Sequence, residues 1–169
     1  MKRVLVVLFI LLIFINFSSC EKDDICVDGD TPFLVIGFFD VDDSTSFKSV
    51  PSLRINSIDN DNIFSSGTFS DRSTVADSVL IPLRNANTDT TFEFIINSAG
   101  DEETGTIDTL SFSYSVGKQF VSRGCGFVAN YNDLDVLRTV TPQDWISRIT
   151  IVEKNIRNNP TAIHVKIFH

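Results

Sequence analysis

The chain has 169 residues, 43% of them hydrophobic, and its 22 acidic against 14 basic residues give a net charge of −8 at pH 7. That length fits one domain with a substantial core. The acidity excludes a nucleic-acid partner, whose phosphates demand lysine and arginine, and it opposes docking on anionic lipid through overall charge.

The first element is not part of a fold. Lys2 and Arg3 precede an apolar run from Val4 to Phe17, broken only by Asn16, and Ser18-Ser19-Cys20 follow before the charged Glu21-Lys22-Asp23-Asp24. A basic start, an apolar stretch and small residues before a cut make a secretory signal. The run is shorter than the roughly 20 residues of a spanning helix. Its ending resembles the lipobox of bacterial lipoproteins, although Phe17 stands where those signals carry leucine. The resemblance implies that residues 1–19 are removed, that Cys20 carries the lipid, and that residues 20–25 form a short tether to a domain over 26–169. Cleavage would remove Lys2 and Arg3 and leave 22 carboxylates against 12 cations, a charge of −10.

Strand patterns fill the remainder. Residues 33–39 are apolar on both faces, as a buried central strand requires. Residues 52–58 alternate through Leu53 and Ile55. Residues 79–83 contain Pro82, which marks an edge or a bulge. Phe92, Phe94 and Ile96 share one face of 91–97. Leu110 to Val116 places serine at every second position, the signature of a half-buried strand. Residues 119–130 read as one further strand, and 148–154 and 161–168 as a closing pair joined across Arg157-Asn158-Asn159-Pro160. Thr141-Pro142-Gln143-Asp144 offers a helical turn or two at most. Short strands at this spacing predict an all-β, antiparallel two-sheet sandwich. A membrane barrel would need clean alternation in every strand.

With Cys20 assigned to lipid, Cys26 and Cys125 are left in an oxidising compartment, and the expectation is a disulfide between them. It would close a loop of about 100 residues, for which the chain-entropy model gives ~4.7 kcal/mol. Gly124 and Gly126 flank Cys125 and let the backbone twist where the cross-link is reached.

Asp23-Asp24-Ile25-Cys26, the Thr31-Pro32 entry to the apolar strand ending at Phe39-Asp40, Leu80-Ile81-Pro82-Leu83, Phe120 to Phe127 through Arg123-Gly124-Cys125, and Trp145-Ile146 together resemble a family of small lipoproteins from Bacteroidota-type bacteria, known only as a domain of unknown function. The resemblance spans nearly the whole mature chain. It implies the lipid anchor, supports the paired cysteines and assigns no activity. Glu21 to Asp24 also looks like the acidic signals that send such lipoproteins to the outer face of the outer membrane. The expected location is therefore lipid-anchored at the outer membrane, on the cell surface rather than the periplasmic face.

Chemistry-bearing patterns are thin. There is no Gly-x-Ser-x-Gly elbow, and a triad lacks a base because His164 is expected on the face away from the core and His169 is the last residue. Asp40 and Asp42, and Asp59 and Asp61, are the weak calcium candidates; neither loop has the glycine and glutamate of an EF-hand. Aromatic content is mostly Phe, the residue of dry cores, so Trp145 is expected to pack beside Ile146 rather than stack on sugar. No catalytic residue, metal or cofactor is assigned. The reading is a lipoprotein with a structural or binding role in the cell envelope, held to the membrane by its lipid and meeting an envelope protein partner, and not an enzyme. The alternatives are an envelope hydrolase using Asp or Glu carboxylates, or an accessory module for glycan or calcium.

Overall fold

The computed structural model describes residues 31–169 except 60–61, 101 and 158–161. Among the described residues, nine strands follow in chain order: β1 (Leu34–Phe39), β2 (Arg54–Ser57), β3 (Asn62–Ile63), β4 (Ser78–Ile81), β5 (Asp89–Ile96), β6 (Thr106–Ser122), β7 (Gly126–Thr139), β8 (Arg148–Ile151) and β9 (Val165–Phe168). There is no helix among the described residues. The strands form a four-stranded sheet in the order β4-β1-β9-β8 and a five-stranded sheet in the order β3-β2-β5-β6-β7. Neither sheet closes on itself, so the fold is an all-β sandwich and not a barrel.

The inner faces meet in one apolar cluster. Leu34, Ile36, Phe38, Val79, Ile81, Val165 and Ile167 come from the smaller sheet; Ile55, Phe92, Phe94, Leu110, Phe112, Tyr114 and Tyr131 come from the larger. Fully burying each large side chain stabilises by about 1.5–3 kcal/mol relative to exposure. β1 is buried at all six positions, as its two-faced apolar sequence requires. Its neighbours are antiparallel β4 and parallel β9, with Ile36 opposite Val165 and Phe39 opposite Phe168. All other strand pairs are antiparallel. β4 lies at a sheet edge and stops before Pro82, where the missing N–H costs no ladder bond. β8 and β9 pair as expected, and the turn predicted between them falls largely outside the described residues.

Two readings of the sequence are corrected. Residues 119–130 are not one strand: β6 runs unbroken from Thr106 to Ser122, turns at 123–125, and returns as β7. Gly126, at a φ of +69°, supplies the left-handed conformation that ends this turn. β7 hides in the sequence because Asp133 is a bulged residue with a φ of +57°. Tyr131 and Leu134 thus both point inward and break the two-residue period. Finally, His164 does not face away from the core. It precedes β9, is 1% exposed, and its Nδ1 accepts the N–H of Val35 at 3.0 Å. The sheet is covered on both sides here, so alternation does not separate inside from outside.

Candidate functional site

The β6–β7 hairpin outruns the rest of its sheet. β5 accompanies β6 only from Thr106 to Ser113, where Asp89 ends the register. From Ser115 to Ser122, β6 pairs with β7 alone, Val116 opposite Tyr131, Lys118 opposite Ala129 and Phe120 opposite Phe127. At about 3.3 Å per residue, this ribbon extends β6 by roughly 23 Å. The positions 112, 114, 116, 118 and 120 share one face, so the ribbon carries the inward face of the sandwich outwards. Phe112 is fully buried and Tyr114 5% exposed, yet Phe120 is 55% and Phe127 69% exposed. Their rings meet edge to face with centroids 5.4 Å apart, a geometry that aromatic quadrupoles favour.

Charge is segregated on the same ribbon. Residues 109–132 contain no Asp or Glu, in a chain with 22 of them, while Lys118 and Arg123 fall within the stretch. Both side chains are exposed. Cys125 lies in the turn, and its N–H donates to Ser122 Oγ at 3.1 Å. Cys20 and Cys26 lie outside the described residues. The exposed aromatic pair was the feature least visible in the sequence; the missing carboxylates were the available signal.

The acidic loops are occupied by their own chain. Asp40 Oδ1 accepts the N–H of Asp42 at 2.8 Å, and its Oδ2 lies 3.4 Å from Lys48 Nζ. The Asp42 N–H holds the Asp40 carboxyl below its ordinary value, with Lys48 adding to the effect. Asp59 Oδ1 lies 2.6 Å from Arg84 Nη1 and its Oδ2 accepts the N–H of Thr91. Asp61 lies outside the described residues. Asp40 and Asp42 thus share a turn, and Asp59 belongs to an ion pair elsewhere. Among the described residues, no group of three or more His, Cys, Asp or Glu is placed to hold a metal ion.

A second polar constellation is interior. Asp108, on β6, is fully buried, and its Oδ2 accepts the N–H groups of Trp145 and Ile146 at 2.9 and 2.8 Å. Its Oδ1 has no hydrogen-bond partner among the described residues. Burial raises the Asp108 carboxyl, against the pull of the two N–H groups, with Asp144 raising it further. Asp144 moves the other way, held down chiefly by the Thr141 hydroxyl. Arg138 donates to Ile146 O and lies 3.5 Å from Asp144. Trp145 packs against Phe38 and donates through Nε1 to Phe94 O at 3.0 Å. This cluster closes the 140–147 connection onto the core. Its buried acid holds a loop, and Trp145 is engaged inside rather than offered to a ligand.

Two tyrosines fasten the strand ends opposite. Tyr131 Oη donates to Leu83 O at 2.9 Å, and Tyr114 Oη bridges Thr90 Oγ1 and Arg84 O. Burial pushes the Tyr131 phenol up to about 12. Beside them, Ile63, Phe64, Pro82, Leu83, Arg84 and Phe92 help line a small open cleft; the Arg84 guanidinium there is already paired with Asp59.

No curated protein matches the chain, and no solved structure matches it. The family model described as "Family of unknown function (DUF6452)" matches residues 52–169. The matched region contains eight of the nine strands and Cys125, and β1, the strand between β4 and β9, lies before it. With most of its length covered by that model, the chain belongs to this family of unknown function.

Proposed function

We propose that this protein is an outer-membrane lipoprotein, anchored through Cys20, that acts in the cell envelope as an interaction module rather than as an enzyme. The observation that carries the binding role is the β6–β7 ribbon, which presents Phe120 and Phe127 beyond the sandwich. Exposed, clustered aromatics are the usual mark of a contact surface. The lipid anchor is supported by the basic start, the apolar run and the small residues before Cys20. A Cys26–Cys125 disulfide belongs to the same proposal. Its support is that Cys26 and Cys125 are the two cysteines left once Cys20 carries lipid in an exported chain, and that Cys125 sits at an outlying turn that a cross-link would restrain.

The test is acyl labelling and membrane fractionation of the unaltered chain beside Cys20→Ala. The unaltered chain should take up labelled fatty acid and sediment with membranes, and Cys20→Ala should lose the label. Membrane association without label would overturn the lipoprotein reading. For the cross-link, alkylation before and after reduction should reveal two thiols only after reduction. Proximity crosslinking from residue 120 in the native envelope should capture a reproducible neighbour, and none would count against the interaction role.

A further inference from the structure

We propose that the neighbour of the ribbon tip is the lipid bilayer itself: Phe120 and Phe127 dip into the interface of the membrane that holds Cys20, with Lys118 and Arg123 on its headgroup phosphates. The idea rests on the lipoprotein reading above for its orientation, and on three features of the ribbon for its chemistry.

The first is reach. Cys20 precedes Cys26 by six residues, a span of at most about 20 Å. With Cys26 joined to Cys125, the turn at 123–125 is held within that distance of the lipidated residue. Phe120 and Phe127 flank this turn and are register partners, so the tether brings these rings, rather than another part of the sandwich, to the surface.

The second is shape and polarity. The ribbon beyond Val116 is two strands wide, and its outward rings are Phe, without a polar handle to satisfy. Elsewhere, exposed Phe47 stacks on Phe39, which is buried, whereas at the tip both rings of the pair are exposed. Lys118 lies behind the rings and Arg123 beyond them in the turn, so the apolar pair is flanked by cations, and apolar side chains beside Lys and Arg are what segments lying in a membrane interface carry.

The third is charge. A net charge of −8 repels an anionic surface from most of the molecule. Residues 109–132 hold Lys118 and Arg123 and no carboxylate, whereas the segment that a Cys26–Cys125 link would bring to the turn carries Asp23, Asp24 and Asp28. Screening confines charge interactions to about 10 Å at 0.1 M salt, so Lys118 and Arg123 act only on headgroups they touch, and the two rings supply the drive for partition. Opposition from the overall charge then helps orientation: it keeps the acidic body off the headgroups while the tip is admitted.

The experiment removes the lipid so that the tip is read alone. The mature chain with Cys20→Ala is mixed with vesicles of phosphatidylethanolamine and phosphatidylglycerol, and the bound fraction is measured by flotation. The intact tip should partition measurably, and the added pair Phe120→Ser and Phe127→Ser should lower the partition coefficient at least about fivefold. Ile63→Ser, an exposed apolar site on the sandwich, should leave it unchanged. Lys118→Glu with Arg123→Glu should lower binding to these vesicles and spare vesicles of phosphatidylcholine alone. This second pair also guards against a serine variant that fails to fold, which thermal unfolding would reveal. The proposal is overturned if the intact tip does not partition, if both pairs bind as well as the parent, or if Ile63→Ser costs as much as the tip pair. Binding of the tip to an envelope protein without vesicle partition overturns it as well. Acyl labelling of the unaltered chain reports separately on Cys20, so loss of the lipoprotein reading and loss of the tip proposal are distinct results.

Discussion

The near and far halves of the β6–β7 hairpin share two strands and one alternating face, yet their surroundings are opposite. In the near half, Leu110, Phe112 and Tyr131 fit between two sheets. In the far half, Phe120 and Phe127 are exposed and meet each other edge to face. Alternation gives a strand an apolar face, but a second sheet is needed to make that face a core. Where β5 ends at Asp89, the same pattern turns from a stability device into a surface.

The sharpest way to break this comparison is to truncate one ring in each half. Phe112→Ala should cost about 3–5 kcal/mol, because it leaves a cavity in packed surroundings. Phe120→Ala, on the same strand and face, should stay within about 0.5 kcal/mol, as exposed substitutions do. Urea unfolding of both variants decides it, and equal losses would mean that the far half is packed after all. Next in size is the buried acid of the near half. Asp108→Ala should destabilise by about 1–3 kcal/mol, since it strands the N–H groups of Trp145 and Ile146. Asp108→Asn keeps an acceptor for them and removes a buried charge, so thermal unfolding should place it well above the alanine variant. Smaller again, Tyr131→Phe should cost about 1 kcal/mol by leaving Leu83 O without its donor.

The mildest effect is a dependence on pH that belongs to the body alone. Burial lowers His164 below its ordinary 6.5, with Glu153 opposing. The folded state therefore binds the proton less readily than the unfolded chain, and stability from this group is full above about 6.5 and lost as pH falls below it. His169 is lowered by burial as well, so His164→Gln should flatten only part of the slope in unfolding midpoints between about pH 7.5 and pH 5.5. Hydrogen exchange over that range should loosen β1 and β9 and leave the ribbon, which has no histidine, unchanged.

Much of the architecture is legible locally. Residues 33–39 announce a central strand because no polar side chain relieves either face, and the serines of 110–116 announce a half-buried one. Pro82 marks an edge because it lacks a donor. What escapes is set by distant partners. The length of the ribbon depends on where β5 stops, and no residue of β6 records that. Asp133 disguises β7 through a backbone conformation, and His164 is enclosed by β1, 129 residues away. Asp108 looks like an ordinary polar residue until the 140–147 connection folds over it. The candidate site was not legible beyond Cys125: Phe120 and Phe127 read as strand residues, because their exposure is set by where β5 stops. The terminal signal speaks through composition and needs no fold.

The parallel pairing of β1 with β9 also sets an order of events. Residues 34–39 cannot meet their neighbour until residues 165–168 have been made, so the smaller sheet has no centre while the chain is growing. The hairpin of β6 and β7 closes over a three-residue turn and can form early. Contacts of such long sequence separation slow folding, and they make completion of the smaller sheet the step that commits the whole molecule. Deletion of Val165–Phe168 would therefore leave a chain with a formed hairpin and no domain.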